Sequence, residues 1–187
     1  MEYIEVTGGN PLRGSIRPAA AKNSVLPLLA ATLLCAQPCT LRRVPLLRDV
    51  QTSLDLLRAV GSGAAWAGQD LVTHPARQIS GRVPTALAGA MRGSVFYLAP
   101  LLTRAGWAEL PLPGGCRLGP RPIDIHLAGL TAMGAQVCAA AECVVLRRHG
   151  VLRGTDFALR LPSVGATLTL MLAACCAAGV TTLRGAA

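Results

Sequence analysis

A repeat of about 70 residues is the feature that most constrains the fold of this chain. Ser-Val pairs begin at residues 24, 94 and 163, and an apolar run follows each pair. Each run is long enough for a buried helix, and a turn and a short strand-like segment come after it. Self-similarity at a fixed period is typical of a fold that uses one supersecondary unit several times. The sequence therefore predicts three copies of one unit.

A second helix is predicted within the first two units. Residues 48–54 and 121–127 both lead into apolar residues at helical spacing, with Gly61 and Gly134 where a helix C-cap is expected. Pro122 fits the preference for proline in a first helical turn. The strand-like segments that follow these helices cover residues 64–72 and 136–146. Each unit is thus interpreted as helix, strand, helix and two strands, and the third has its first helix and strand.

The repeat places comparable residues at the start of each apolar helix. The three starts are Lys22-Asn23, Arg92-Gly93 and Ser163-Val164-Gly165. Helix N-termini attract anions through their unpaired N–H groups and the helix dipole. Each start taken alone fits an ordinary N-cap. If the three starts converge on one cleft, they would form a site for phosphates and carboxylates.

A glycine-bounded loop within residues 113–126 carries a candidate acid or nucleophile. Cys116 has two arginines nearby and precedes Asp124 and His126, which open a helix-like pattern. Guanidinium groups lower the pKa of a thiol because they favour the thiolate. Glycines let the backbone approach a ligand closely, and prolines restrict the shape of the loop. The arrangement fits a negatively charged substrate, most simply a phosphorylated one.

Charge and composition restrict the class of partner. The net charge is +9, which indicates an anionic partner, and Lys22 is the single lysine among 18 basic residues. The arginines are scattered and aromatic residues make up 3% of the chain, so nucleic-acid binding is disfavoured. A lone lysine in an arginine-rich chain indicates either a site that needs a compact ammonium or an ordinary surface lysine.

The cysteines and the N-terminus bear on metal binding and compartment. The chain has seven cysteines, none in a CxxC pair, and its histidines lack the spacing of metal ligands, so no metal site is expected. The first residues lack the basic and apolar regions of a signal peptide. The apolar runs are shorter than the roughly 18–20 residues of a membrane span. We therefore expect a cytoplasmic protein without a membrane span.

Several of these segments together resemble a known enzyme family. They are Ala21-Lys22-Asn23, residues 44–50, residues 113–116, residues 119–126 and residues 162–167. They are similar to the UDP-N-acetylglucosamine 1-carboxyvinyltransferases, which are enolpyruvyl transferases of peptidoglycan synthesis. The resemblance runs from end to end of the chain, and the Cys116 loop with the Arg-Pro-x-Asp-x-His that follows is its most specific part.

The resemblance implies an α/β fold, an inside-out α/β barrel of repeated helix–strand units. Family members are more than twice as long, with two such domains of three units each and the ligands in the cleft between them. Residues 1–21 would then be a strand segment that belongs to the second domain. Residues 22–187 would be an incomplete domain with two units and the start of a third.

The resemblance also implies a reaction. Family members transfer the enolpyruvyl group of phosphoenolpyruvate to the 3-hydroxyl of UDP-N-acetylglucosamine, with no metal or organic cofactor. Cys116 would be the proton donor, Lys22 and Asn23 would contact phosphoenolpyruvate, and Arg92 would contact the ligands. Two loops would bind the nucleotide sugar, namely Arg121, Pro122, Ile123, Asp124 and Ile125, and Leu161, Pro162, Ser163 and Val164. The carboxylate base lies in the C-terminal half of family members, so this polypeptide alone is expected to be inactive or nearly so.

Two alternatives stay open. The shikimate-pathway enolpyruvyl transferases share the fold and the donor, but usually have Lys-Ser where this chain has Lys22-Asn23, and they lack the cysteine loop. A non-catalytic remnant that binds nucleotide sugars is the other alternative.

Two residues depart from the family pattern. Ala20 stands where the family usually has glycine, and Arg160 stands near where an acidic residue is usual. Asp49 is interpreted as structural or as a helix-start charge, and His126 as a packing or capping residue.

Overall fold

The computed structural model describes residues 3–9, 11, 13–18, 20–111, 122–139 and 142–187. The α-helices in these residues are α1 (Lys22–Ala31), α2 (Arg48–Ala59), α3 (Thr85–Ala90), α4 (Leu98–Ala105), α5 (Asp124–Ala132) and α6 (Val164–Ala174). The strands are β1 (Cys39–Leu41), β2 (Gly63–Ala67), β3 (Asp70–His74), β4 (Trp107–Pro111), β5 (Ala135–Ala139), β6 (Cys143–Arg148), β7 (Asp156–Ala158) and β8 (Thr182–Arg184). Two 3₁₀ segments, Thr32–Leu34 and Arg92–Tyr97, follow α1 and precede α4.

The first two units have the same sheet topology, which confirms the predicted repeat. Both form antiparallel three-stranded sheets, in the order β1-β3-β2 in the first unit and β4-β6-β5 in the second. In each sheet the last strand of the unit therefore lies in the middle. The predicted C-cap glycines, Gly61 and Gly134, have left-handed φ angles of 103° and 97°. The strand-like segments at 64–72 and 136–146 each correspond to two paired strands.

In the second and third units, a short segment before the buried helix pairs in parallel with the strand after that helix. This pairing was not predicted from the sequence. β7 pairs in parallel with β8 in the third unit. In the second unit, residues 81–83 run parallel to β4, since Val83 N–H donates to Glu109 O at 2.9 Å and Glu109 N–H donates to Gly81 O at 2.8 Å. Segments of about three residues are too short to show a period, so the partner strand alone defines them.

The helices form the core and the sheets lie outside them, as the inside-out arrangement requires. Leu98, Leu101 and Leu102 of α4 are fully buried, and α4 packs against α6 and the 3₁₀ segments. In β4, Ala108 and Leu110 are fully buried, whereas the residues that alternate with them are half-exposed. This alternation shows that one face of the sheet covers the helices and the other faces solvent. The prediction of an inside-out α/β fold is confirmed.

Two arginines bind backbone carbonyls near the ends of helices, and Arg104 also binds Ala76 O in the loop after β3. Arg104 donates to Leu33 O at 2.5 Å and to Ala76 O at 2.6 Å. Arg148 donates to Leu102 O at 2.9 Å and to Thr103 O at 2.8 Å. The carbonyls in the last turn of a helix have no partner within the helix, and a nearby cation also interacts favourably with the helix dipole. Both arginines therefore stabilise the ends of core helices.

Replacing Gly81 by alanine is expected to lower the free energy of unfolding by about 2 kcal/mol. An added Cβ would lie 2.5 Å from Trp107 O and 2.6 Å from Trp107 Cδ2, so the parallel pairing with β4 would have to shift. Urea denaturation followed by circular dichroism measures the change. Gly89→Ala is the control, because an added Cβ there meets no atom within 4 Å. Equal stability of the two variants would contradict the close approach at Gly81.

Candidate functional site

One cleft takes in the starts of three helical segments. It has a volume of about 1030 Å³. Its described lining comprises Lys22, Asn23, Leu26, Arg48, Asp49, Gly89, Ala90, Met91, Arg92, Gly93, Val95, Phe96, Pro122, His126, Ser163, Val164, Gly165 and Leu168. The equivalent positions of the three units thus line one space, which is the convergence that an anion site at the helix starts needs.

The first helix presents open backbone donors to this cleft. Ala21 precedes α1, and its methyl group cannot cap the helix. The Ala21 carbonyl accepts hydrogen bonds from the N–H groups of Ser24 and Val25, at 3.1 and 3.2 Å. The N–H groups of Lys22 and Asn23 precede these bonds, and such first-turn donors have no partner within the helix. They are therefore available to an anion.

The start of α6 is capped in part by its own side chain. Ser163 Oγ accepts a hydrogen bond from Ala166 N–H at 3.2 Å. This N-cap fixes the direction of α6 and leaves the N–H groups of Val164 and Gly165 at the cleft. The third helix start therefore offers backbone donors rather than a cationic side chain.

The charged side chains of the cleft favour anions. Lys22, Arg48 and Arg92 are cationic, and Asp49 is the acidic residue among the described lining residues. Lys22 Nζ lies 2.9 Å from Asp49 Oδ2, so this pair holds the ammonium at the start of α1. Arg92 donates to Pro122 O at 3.4 Å, which ties the start of the 3₁₀ segment Arg92–Tyr97 to the loop before α5. The excess of cationic over acidic groups fits a phosphorylated ligand.

His126 lies at the wall of the cleft as a neutral, packed side chain. It is 5% exposed, and its Nδ1 is 2.9 Å from Thr169 Oγ1, which links α5 to α6. Burial, and to a lesser extent the Arg92 charge, lower the pKa of His126 to about 4, while the Asp124 charge opposes them. Gly165 lies against this ring, since a Cβ there would be 3.3 Å from Nε2. This geometry agrees with the interpretation of His126 as a packing residue.

The predicted site residues divide into three groups. Those that line the cleft are Lys22, Asn23, Arg92, Pro122, Ser163 and Val164. Those that lie beside it in the chain are Ile123, Asp124, Ile125, Leu161 and Pro162. Ile123 is only 8% exposed and belongs to the core. Cys116 and Arg121 lie outside the described residues, and the roles of the whole set stay predictions.

Arg48 is a cleft residue that the sequence analysis did not single out. It opens α2, directly before Asp49. The repeat carried the necessary signal, because the segments that begin at Arg48 and Arg121 are equivalent in the first two units. Arg121 was predicted to bind the nucleotide sugar, so the same position of the first unit was a candidate too. Phe96 and Gly165 also line the cleft, but apolar and small residues give no comparable signal.

Two further observations concern metals and membranes. In the part of the chain that the structure describes, no three His, Cys, Asp or Glu side chains are grouped so that they could hold a metal ion. Within the same residues, none of the helices combines the length and the apolar character needed to cross a bilayer.

Comparison with known sequences relates this chain to enolpyruvyl transferases. It is 42% identical over 188 residues to UDP-N-acetylglucosamine 1-carboxyvinyltransferase of Halorhodospira halophila, which covers 100% of this chain and 45% of the relative. It is also 42% identical to UDP-N-acetylglucosamine 1-carboxyvinyltransferase 1 of Carboxydothermus hydrogenoformans, over 100% of this chain and 44% of the relative. The chain thus spans less than half the length of these relatives.

Solved structures show the same fold. The enolpyruvyl transferase NikO from Streptomyces tendae superposes with a TM-score of 0.78 at 23% identity, covering 94% of this chain and 41% of NikO. EPSP synthase from Acinetobacter baumannii gives a TM-score of 0.70 at 15% identity, covering 91% of this chain and 40% of that enzyme. Residues 6–187 match the protein family described as EPSP synthase (3-phosphoshikimate 1-carboxyvinyltransferase). The chain therefore belongs to the EPSP synthase family.

Proposed function

We propose that this chain is the N-terminal part of an enzyme that transfers the enolpyruvyl group of phosphoenolpyruvate to the 3-hydroxyl of UDP-N-acetylglucosamine. This reaction is the first committed step of peptidoglycan synthesis. The observation that carries the proposal is the cleft where the starts of three helices bring Lys22, Arg92 and Ser163 around one space. The names of the relatives at 42% identity support this acceptor over shikimate 3-phosphate.

The cleft supplies two kinds of group for an enol phosphate. Lys22 and Arg92 offer charges for the phosphate and the carboxylate, and the open N–H groups at the start of α1 offer dipoles. Asn23 adds an amide that can donate or accept. Because these groups are held by helix starts and by the Lys22–Asp49 pair, their orientation is set before the ligand arrives. Such preorganisation lowers the cost of binding and reaction.

The proposed chemistry is an addition followed by an elimination. A proton adds to C3 of phosphoenolpyruvate, C2 gains positive character, and the acceptor oxygen bonds to C2 while a base takes its proton. Loss of a proton from C3 then expels phosphate and restores the double bond. Cys116, outside the described residues, is the proposed proton donor, because a thiol near arginines can have a pKa close to the working pH. The base would come from the part of the relatives that this chain does not span.

We also propose that residues 22–187 form an incomplete domain and that residues 1–21 belong to a second domain. The described residues before α1 form neither helix nor strand. Their large apolar side chains are exposed, with Tyr3, Ile4, Val6 and Ile16 between 81% and 92% accessible. Apolar residues spaced in this way fit a strand whose partners lie elsewhere in a longer protein. A cytoplasmic location is part of the proposal, because both substrates are proposed to be soluble metabolites.

A fusion of residues 1–187 to the remaining part of the Halorhodospira halophila relative tests the proposal. We expect phosphate release from phosphoenolpyruvate that depends on UDP-N-acetylglucosamine, whereas residues 1–187 alone should be inactive or nearly so. The intact relative is the positive control. Activity with shikimate 3-phosphate instead would support the alternative acceptor. A folded fusion that is inactive with both acceptors would support a non-catalytic remnant.

Alkylation by fosfomycin is a second test of the same proposal. This epoxide is expected to modify Cys116 in the fusion, because the proposed thiol donor is also a nucleophile. Mass spectrometry of tryptic peptides locates the adduct. Cys138→Ser serves as the control variant and should leave the adduct in place, whereas Cys116→Ser should abolish it. An unmodified Cys116 in an active fusion would contradict its proposed role.

A further inference from the structure

An ion pair joins the two segments that precede α5 and α6. Arg160 Nη2 contacts Asp124 Oδ2. Asp124 opens α5 between Pro122 and His126, which both line the cleft. Arg160 stands three residues before Ser163, the N-cap of α6 and also a lining residue. The pair therefore lies next to the cleft on both of its elements.

The stability of the fold does not account for this pair. The Arg160 side chain is 61% exposed and the Asp124 side chain 49% exposed. Ion pairs with this exposure contribute about 0–1 kcal/mol, because water screens the charges and two long side chains lose freedom. Arg82 and Glu109 form a comparable pair on the second sheet, at residues that do not line the cleft.

The electrostatics of the cleft give the pair a different consequence. Asp49 lines the cleft, and Asp124 lies two residues from lining positions, so both carboxylates would repel an anionic ligand. Lys22 pairs with Asp49 and Arg160 pairs with Asp124. Without Arg160, the negative charge of Asp124 would oppose the positive potential of Arg92 in the cleft. The two residues lie close enough together for both charges to shift the pKa of His126. Arg160 thus preserves the cationic character of this side of the cleft.

We propose that Arg160 is a positioning residue that neutralises Asp124 and so favours the binding of diphosphate ligands in the cleft. The identity of the ligand, UDP-N-acetylglucosamine, rests on the proposed function. The charge relation between Arg160 and Asp124 does not rest on that function, because it would affect the binding of any diphosphate. Pyrophosphate is therefore a probe that is independent of the acceptor.

The test is a charge cycle measured by isothermal titration calorimetry on the fusion with the remaining part of the Halorhodospira halophila relative. Arg160→Gln is expected to weaken the binding of pyrophosphate and of UDP-N-acetylglucosamine about fivefold to tenfold at low salt. Adding Asp124→Asn to Arg160→Gln is expected to return the affinity for pyrophosphate to within about twofold of wild type, because no unpaired carboxylate remains. The recovery is measured with pyrophosphate alone, since Asp124 belongs to the loop that is predicted to bind the nucleotide sugar. Arg160→Lys keeps the charge and should keep most of the affinity. Arg82→Gln, which breaks the comparable pair, should change nothing.

The outcomes separate this inference from the proposed function. If UDP-N-acetylglucosamine binds Arg160→Gln as well as wild type, or if the double variant does not recover its affinity for pyrophosphate, the inference is overturned and the function stands. If pyrophosphate shows the expected cycle but UDP-N-acetylglucosamine does not bind, the inference stands and the proposed acceptor is overturned. If neither ligand binds the fusion with the wild-type residues, both are overturned. Thermal unfolding of each variant confirms that the affinities compare folded proteins.

Discussion

Replacing Lys22 by methionine is expected to lower kcat/KM for phosphoenolpyruvate at least about 100-fold in the fusion with the Halorhodospira halophila relative. Methionine keeps an unbranched side chain as far as the ε position and removes the ammonium. The lost charge lies at the start of α1, beside open N–H groups and in the cleft that Arg92 also lines. An enol phosphate gains negative charge on its leaving group as the reaction proceeds, so the loss should affect the transition state most. Steady-state phosphate release measures it.

A second variant separates the ammonium from its partner. Lys22→Met leaves Asp49 without its ion pair, and an unpaired carboxylate could itself repel the substrate. Lys22→Met with Asp49→Asn should remain at least about 30-fold impaired if the ammonium contacts the ligand. Recovery in the double variant would instead mean that Lys22 only neutralises Asp49. Arg147→Met, which removes an exposed cation from β6, is the matched control and should keep full activity.

The free energy of unfolding is expected to fall by about 3 kcal/mol through His126 as the pH drops from 6.5 to about 4. The folded state keeps His126 neutral because it is buried and close to Arg92, with Asp124 opposing. The unfolded state binds a proton at its ordinary pKa of 6.5, so it is favoured through this window. The stabilising contribution is complete above pH 6.5, and the loss ends below about pH 4.

His126→Gln isolates this contribution from the carboxylates that titrate in the same range. Urea denaturation at several pH values gives the difference between wild type and variant. That difference should shrink by about 3 kcal/mol between pH 7 and pH 4, since glutamine does not titrate. His149→Gln is the control, because His149 is exposed. Parallel curves for wild type and His126→Gln would show that His126 is not held neutral in the fold.

The repeat made most of the architecture predictable. Apolar runs after residues 24, 94 and 163 predicted the core helices, and Gly61 and Gly134 marked where α2 and α5 end. These signals are local, because they depend on spacing and on the conformational freedom of glycine. β7 and α3 escaped prediction. β7 has three residues and is defined by its pairing with β8, which no local pattern reveals.

The same distinction applies to the site. Lys22, Arg92 and Ser163 were predicted from equivalent positions in the repeat, and they do line one cleft. The pairing of Lys22 with Asp49 joins residues 27 positions apart, and it depends on how the first two helices pack. Burial of His126 against Thr169 likewise depends on the contact between α5 and α6. Charge partners and shifted pKa values therefore require the tertiary structure.

The guanidinium groups of Arg104 and Arg148 are engaged by carbonyl oxygens inside the protein. Their donors are thus satisfied within the protein, and each charge is held at a fixed place beside a helix end. The formal charge of +9 consequently includes two cations that are less available for direct contact with an external anion. Retention on a cation-exchange resin should be weaker than that of a protein with the same number of surface arginines, and adhesion to bulk polyanions should be reduced in the same way.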